Sequence, residues 1–393
     1  MGKIASRINS AAGDSLLDKG QNGQVRPRNF IISGGTADDR HAAFLQMYDR
    51  ICGQIPLIYL HTRDDGFLNE IIEITKNRNQ LDRLQVFNVD SPGYGYLNQV
   101  SQQGVVNTLE LLAKGMGYDC PPQFDRTVKI MISLAKEFGF PSGLAGLSKL
   151  AEFTYVDLRN EIGARLGKRI ENALANDLEV SGRPECFYLF QAVIQKLAHE
   201  ARFNGWTNSE DEKKVNRGCC IEAIKNRSSL FLELRGGLTE LVEQCICSEL
   251  REARSNQFLF VLDGLPASQQ GLRELTTRMN FKWGIISEDA FPVLGEELFP
   301  ICAEKAEIML VLKHKTGTAA QRYSELMGCK DVQISETSEG TAKETFKVLP
   351  GSSHKETRYS IENRYRVMPE RIMALQPCEV ILFETTQNKI RIV

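Results

Sequence analysis

Two spacings of apolar residues alternate along the first ninety residues. Phe30–Ser33 is a short apolar run ending in Gly34-Gly35, which predicts a buried strand and a turn. From His41 to Gly53, Ala42, Phe44, Leu45, Tyr48 and Ile51 recur at helical spacing. Pro56–His61 predicts a second strand and Leu84–Val89 a third. Between them Phe67–Asn77 sets Leu68, Ile71, Ile72 and Thr75 on one side of a helix. Strands alternating with helices predict an α/β fold with a mostly parallel, doubly wound sheet.

The pattern then changes. From Val105 to Trp206 the spacing is helical throughout, over Val105–Lys114, Gln123–Phe138, Gly143–Leu150, Tyr155–Leu174 and Phe187–Phe203. Pro121-Pro122, Pro141, Gly182 with Pro184, and Gly205 separate these segments. This predicts an all-α insertion over residues 105–216 inside a core of residues 29–104 and 217–393. The α/β pattern resumes with strands at Ser229–Leu234, Phe258–Leu262 and Trp283–Ser287, and Ile301–Leu312 includes the apolar run Ile308–Leu312. Helices are expected at Leu238–Ser255, Gln270–Met279 and Thr318–Met327, the last with a Thr318…Gln321 capping box and Gly328 past its end. Ser335–Arg366 is polar and reads as a loop or exposed ribbon. Met368–Leu375 reads as a short helix with Pro369 in its first turn, and Glu379–Glu384 with Lys389–Val393 as a terminal strand pair.

Composition narrows the class. The 393 residues are 42% hydrophobic and 25% charged, as in an ordinary globular protein. With 48 Lys and Arg against 50 Asp and Glu, the chain is not a globally basic nucleic-acid binder. No apolar run reaches the ~20 residues that span a bilayer. Residues 1–28 lack a secretory apolar stretch, are rich in Gly, Ser, Asn and Gln, and are expected to form a mobile tail. The ten cysteines form no C-x-x-C pair, so reduced thiols in a cytoplasmic protein with no structural metal are expected.

The candidate chemistry sits at the first turn. A phosphate loop reads G-x-x-x-x-G-K-[ST], with glycines that let backbone N–H groups cradle phosphate, a Lys for the outer phosphates and a hydroxyl for Mg²⁺. In that frame Gly34 is the first glycine, followed by Gly35 and Thr36. Asp39 then takes the second glycine position, Arg40 the Lys position and His41 the hydroxyl position. Each change opposes nucleotide binding. Asp39 adds like charge, Arg40 cannot replace Lys in a tight cradle, and His41 is a poor ligand for Mg²⁺. The partner acid of such a site ends a buried strand, here Asp263 after Phe258–Leu262. Gly264 stands where a water-polarising Glu would follow.

The order of these features resembles the coupling ATPases of conjugation and type IV secretion, the TraG/TraD group. Leu84–Asp90 with Tyr96-Leu97-Asn98 is similar to that family's strand with Asp and its later Tyr-Asn-Pro, although Gln99 replaces the Pro. Leu275–Ile285, with Arg278 and Gly284, resembles its helix ending in Arg before a Gly and an apolar strand. Ala306–Gly328 and Arg366–Leu375 followed by Val380–Phe383 resemble its last helices and strands. The resemblance implies a RecA-like P-loop NTPase-type core with an inserted all-α domain, and gives Arg278 the role of an inter-subunit or sensor arginine. It also implies protein partners in a secretion or DNA-transfer complex, single-stranded DNA, and oligomers. The departures fall on the catalytic positions, so the expectation is a pseudo-ATPase acting as a binding or scaffold subunit with no cofactor. Two other readings stand beside it. One is a working, divergent DNA-translocating ATPase using ATP and Mg²⁺, with Arg40 as cation and Glu288 as base. The other is an unrelated α/β nucleotide binder using Gly34-Gly35 at a helix N-terminus. The candidate nucleic-acid contact is His354-Lys355…Arg358-Tyr359…Arg364-Tyr365-Arg366, diluted by Glu356 and Glu362.

Overall fold

The computed structural model describes residues 10–19, 25–62, 64–165, 184–207, 218–235, 238–253, 257–264, 281–340 and 354–393, with 10, 19, 332–340 and 354–362 described by backbone alone. In chain order the strands are β1 (Leu17–Lys19), β2 (Val25–Pro27), β3 (Phe30–Ser33), β4 (Leu57–His61), β5 (Leu84–Phe87) and β6 (Ser229–Glu233). They continue with β7 (Leu259–Asp263), β8 (Lys282–Ser287), β9 (Ile308–Val311), β10 (Cys329–Gly340), β11 (His354–Tyr365), β12 (Ile381–Glu384) and β13 (Lys389–Ile392).

Nine of these strands form one sheet in the order β13-β12-β9-β3-β8-β7-β4-β6-β5. From β9 to β5 every pairing is parallel, and β12 and β13 close one edge antiparallel. The fold is therefore a mostly parallel α/β sheet, as the alternation of elements predicts. β3, β4, β6, β7 and β9 are buried along their whole length, which explains why they read as unbroken apolar runs.

The two-residue period divides the sheet's faces. Phe30, Ile32, Tyr59, Val261 and Ile286 share one core with the Ala37–Ile51 and Asp65–Asn77 helices. Ile31, Leu60, Leu262 and Ile285 share the other with the Glu240–Glu252, Ala290–Lys305 and Gly317–Met327 helices. That second core runs on into the helices between β5 and β6. These are Gln102–Gly115, Phe124–Glu137, Leu144–Leu150, 155–165 and Pro184–Arg202. The Gln102–Gly115 helix packs on Glu240–Glu252, which joins the helical layer to the sheet.

The segment expected as a mobile tail is built into the fold where it is described. Ser10–Ser15 is helical, β1 pairs with β2, and Ala12, Leu16 and Leu17 are buried with the Ala37–Ile51 helix. Gly13, one of the small residues behind that expectation, is what permits this contact. A Cβ on Gly13 would stand 2.4 Å from the Cβ of Gln46. Asp14 pairs with Arg50 at 2.6 Å.

Other boundaries move for local reasons. The Gly317–Met327 helix is capped by Thr316, whose side chain accepts from the Ala319 N–H, and not by Thr318. The polar stretch after it is a ribbon, β10 paired antiparallel with β11. Two expectations, the Gln270–Met279 helix and the placement of Arg278, lie outside the described residues. So does the end of Tyr155–Leu174.

Candidate functional site

β3 delivers the chain to a turn of three residues, Gly34, Gly35 and Thr36, and the next helix starts at Ala37. Thr36 caps that helix. Its Oγ1 accepts from the Asp39 N–H at 3.2 Å, and the Asp39 carboxylate accepts from the Thr36 N–H at 3.0 Å and from the Thr36 hydroxyl at 2.7 Å. This reciprocal capping box starts the helix at Ala37, four residues ahead of the His41 suggested by apolar spacing. Asp39, Arg40 and His41 are therefore helical residues.

The backbone donors of the turn are engaged within the protein. The Gly34 N–H donates to the Ser287 carbonyl at 3.3 Å and the Glu288 carbonyl at 3.0 Å, and the Gly35 N–H to the Lys313 carbonyl at 2.8 Å. The Arg40 guanidinium folds back over the turn and donates to the Gly34 and Gly35 carbonyls at 3.0 and 3.1 Å. Burial lowers the Arg40 pKa from its usual range, against the pull of Asp263 and Glu288. Gly34 has φ +94°, and a Cβ there would lie 2.6 Å from the Leu312 carbonyl oxygen. Gly34→Ala is expected to cost about 1–3 kcal/mol, read as a lower denaturation midpoint. An unchanged midpoint would show that the turn relaxes freely.

Beneath the turn lies an ion cluster. Asp263, at the end of β7, accepts from the Tyr59 hydroxyl at 2.9 Å and meets His41 Nε2 at 2.6 Å through the same Oδ2. His41 Nδ1 stands 3.3 Å from Asp64 Oδ2, without hydrogen-bond alignment. Asp64 also caps the Asp65–Asn77 helix by accepting from the Phe67 N–H at 2.9 Å. Burial alone would lower the His41 pKa, but Asp263 and Asp64 outweigh it and raise it to about 9. His41 is thus an imidazolium at neutral pH. That imidazolium, together with the Phe67 N–H, holds the Asp64 carboxyl below the ordinary range. The Phe67 ring lies 4.2 Å from the imidazole and shields it. His61, also beneath the turn, is the converse case: burial lowers its pKa, and Nδ1 donates to the Thr62 carbonyl at 2.7 Å.

The turn's other flank is filled by protein groups. The Tyr323 hydroxyl donates to Ser33 Oγ at 2.7 Å, and Arg322 pairs with Asp289 at 3.1 Å beneath the Phe291 ring. Glu288, the candidate base, is mostly exposed and paired with Lys315 at 3.2 Å.

The structure thus brings Gly34, Gly35, Thr36, Asp39, Arg40, His41 and Asp263 together. Sequence reasoning missed Tyr59, Asp64 and Phe67. Asp64 carried one usable signal, an acid just ahead of an amphipathic helix.

Sheet order, helical layer and strand-turn-helix at β3 define the class as a RecA-like P-loop-type α/β fold. Solved structures with this fold include the bacterial conjugative coupling protein TrwBdeltaN70 in an unbound form. It is 12% identical with a TM-score of 0.54, over 98% of this chain and 91% of that one. The plasmid coupling protein TrwB in complex with ADP and Mg²⁺ is 13% identical with a TM-score of 0.54, over 98% and 92%. TrwB in complex with the non-hydrolysable GTP analogue GDPNP gives 12%, 0.54, 98% and 92%. At these identities the likeness is one of fold. No family model matches the sequence, nor does any curated protein.

Proposed function

We propose that this chain is a catalytically degenerate relative of the conjugative and type IV secretion coupling ATPases, a pseudo-ATPase that serves a DNA-transfer or secretion complex as a binding or scaffold subunit. One observation carries the reading. The turn that would cradle phosphate is three residues long, and its Gly34, Gly35 and Thr36 amides already donate to protein acceptors. Phosphate binding at a helix N-terminus needs free N–H groups and unopposed positive potential. Here the Asp39 carboxylate supplies the anion.

The residues below the turn do not fit Mg²⁺ and a nucleotide either. Mg²⁺ prefers oxygen ligands in near-octahedral geometry. Asp263 instead faces an imidazolium 2.6 Å away, so His41 supplies the positive charge that a metal would bring. The working-ATPase reading loses its parts in the same way. Arg40 is spent on the turn's carbonyls, and Glu288 points into solvent beside Lys315. TrwB binds ADP and Mg²⁺ on the same fold, so nucleotide binding is the decisive test. Calorimetric titration with Mg-ATP is expected to show no saturable heat and no thermal stabilisation. Tight binding with turnover, lost in Arg40→Ala, would overturn the proposal.

Among the described residues no helix is long and apolar enough to cross a membrane. In this reading the retained sheet and helical layer present surfaces to protein partners.

A further inference from the structure

The helical layer carries a groove that its own core does not fill. One wall is the chain after the Gln102–Gly115 helix, with Tyr118, Asp119 and Pro121. The other is the first half of the Pro184–Arg202 helix, with Glu185, Tyr188 and Leu189. The space between them is about 330 Å³. Tyr118 and Tyr188 are 46% and 56% exposed.

The helix wall has an unusual face. Cys186, Phe187, Phe190, Val193, Ile194 and Leu197 are buried, which accounts for one side of an amphipathic helix. The opposite side should be polar. Instead Glu185, Tyr188, Leu189 and Ala192 follow one another at i, i+3, i+4 and i+7 and line the groove. Two exposed tyrosines beside half-buried Leu189 and Pro121 around one concavity are what a recognition surface is built from.

The charges decide the occupant. Among the described residues, Asp119 and Glu185 are the charged residues of the lining, and both are acidic. Lys114 and Glu110 both act on nearby Cys120, so the cation beside the groove is offset by another acid. Carboxylates repel a phosphate backbone, so the groove does not suit nucleic acid. A guanidinium or ammonium group fits it, because tyrosine faces attract cations and the two carboxylates can receive their N–H groups.

We propose that this groove docks an extended peptide segment bearing Arg or Lys from a partner protein, with the cationic side chain set between Tyr118 and Tyr188 and paired to Asp119 or Glu185. This rests on the reading of the chain as a binding subunit, and it names the chemistry of what is bound.

The test is fluorescence anisotropy with a labelled Arg/Gly/Ser decapeptide and a matched peptide carrying Glu at each Arg position. The Arg peptide is expected to bind saturably at one per chain and the Glu peptide not to bind. Tyr188→Ala and Glu185→Lys should each weaken binding at least tenfold. Both positions are exposed, so circular dichroism should show an unchanged fold. The proposal fails if the Arg peptide does not saturate, if both variants bind it as the unaltered protein does, or if the Glu peptide binds equally. It also fails if the protein self-associates and Tyr188→Ala abolishes that, because the occupant is then a second copy. The Mg-ATP titration reads a different part of the molecule, so either idea can fall alone.

Discussion

Replacing His41 by leucine is expected to destabilise the fold by about 3–5 kcal/mol, the usual loss when one partner of a buried ion pair is removed. Asp263, 6% exposed, would keep the Tyr59 hydroxyl as its hydrogen-bond donor among the described residues, and would lose the cation in direct contact with it. Leucine fills the space beside Phe67, so the loss is electrostatic and not a cavity effect. Denaturant titration reads it directly. Adding Asp263→Asn to His41→Leu should recover part of the loss, because the stranded charge is then gone. A cost under about 1 kcal/mol, typical of solvated pairs, would show that Asp263 does not depend on His41.

The same pair sets a pH window. The folded pKa of His41 lies near 9, above its ordinary 6.5. The native state therefore holds the proton more tightly than the unfolded chain. That contribution is fully present below pH 6.5 and is lost as pH rises through 9. The unaltered protein should weaken across this window, and His41→Leu should be flat over it.

The division between what the sequence revealed and what it hid follows from the range of each interaction. β3, β4, β6, β7 and β9 are buried on both faces, so their own composition announces them. The helices between β5 and β6 announce themselves by period. Apolar spacing starts the Ala37–Ile51 helix at His41 and not at Ala37, because residues 38–41 are all polar and carry no apolar period. The capping box of Thr36 with Asp39, three residues apart, was the better local signal. The His41–Asp263 contact spans 222 positions, and nothing along the chain links them until the sheet places β7 near β3. Asp263 and His41 each stand out in the sequence, but their pairing and the Tyr59 hydroxyl that joins it do not. The N-terminal segment misled for the opposite reason. Its small residues resemble a linker, yet Gly13 is small because Gln46 packs against it.

Glu249 should produce a second pH effect of the same sign in a lower window. It is fully buried on the Glu240–Glu252 helix. It accepts from the Tyr94 hydroxyl at 2.5 Å, from the Leu97 N–H at 2.6 Å and from Cys245 Sγ at 3.7 Å. Burial pushes its pKa from 4.5 up to about 7, although these donors pull the other way. The folded value lies above the unfolded one, so stability is fully present below pH 4.5 and falls as pH rises to 7, by about 2–3 kcal/mol. Glu249→Gln should remove that slope while leaving the His41 slope above pH 6.5. Denaturation midpoints at pH 4.5, 7 and 9 separate the two, and a slope unchanged in Glu249→Gln would refute the assignment. The carboxylate also holds a strained turn, since Leu97 and Gln99 have φ of +62° and +59°. Glu249→Leu would strand the Leu97 N–H in the core and leave the Tyr94 hydroxyl with Cys220 Sγ, at 3.0 Å, in place of a carboxylate. It should therefore destabilise at every pH, where the glutamine variant does so at none above 7.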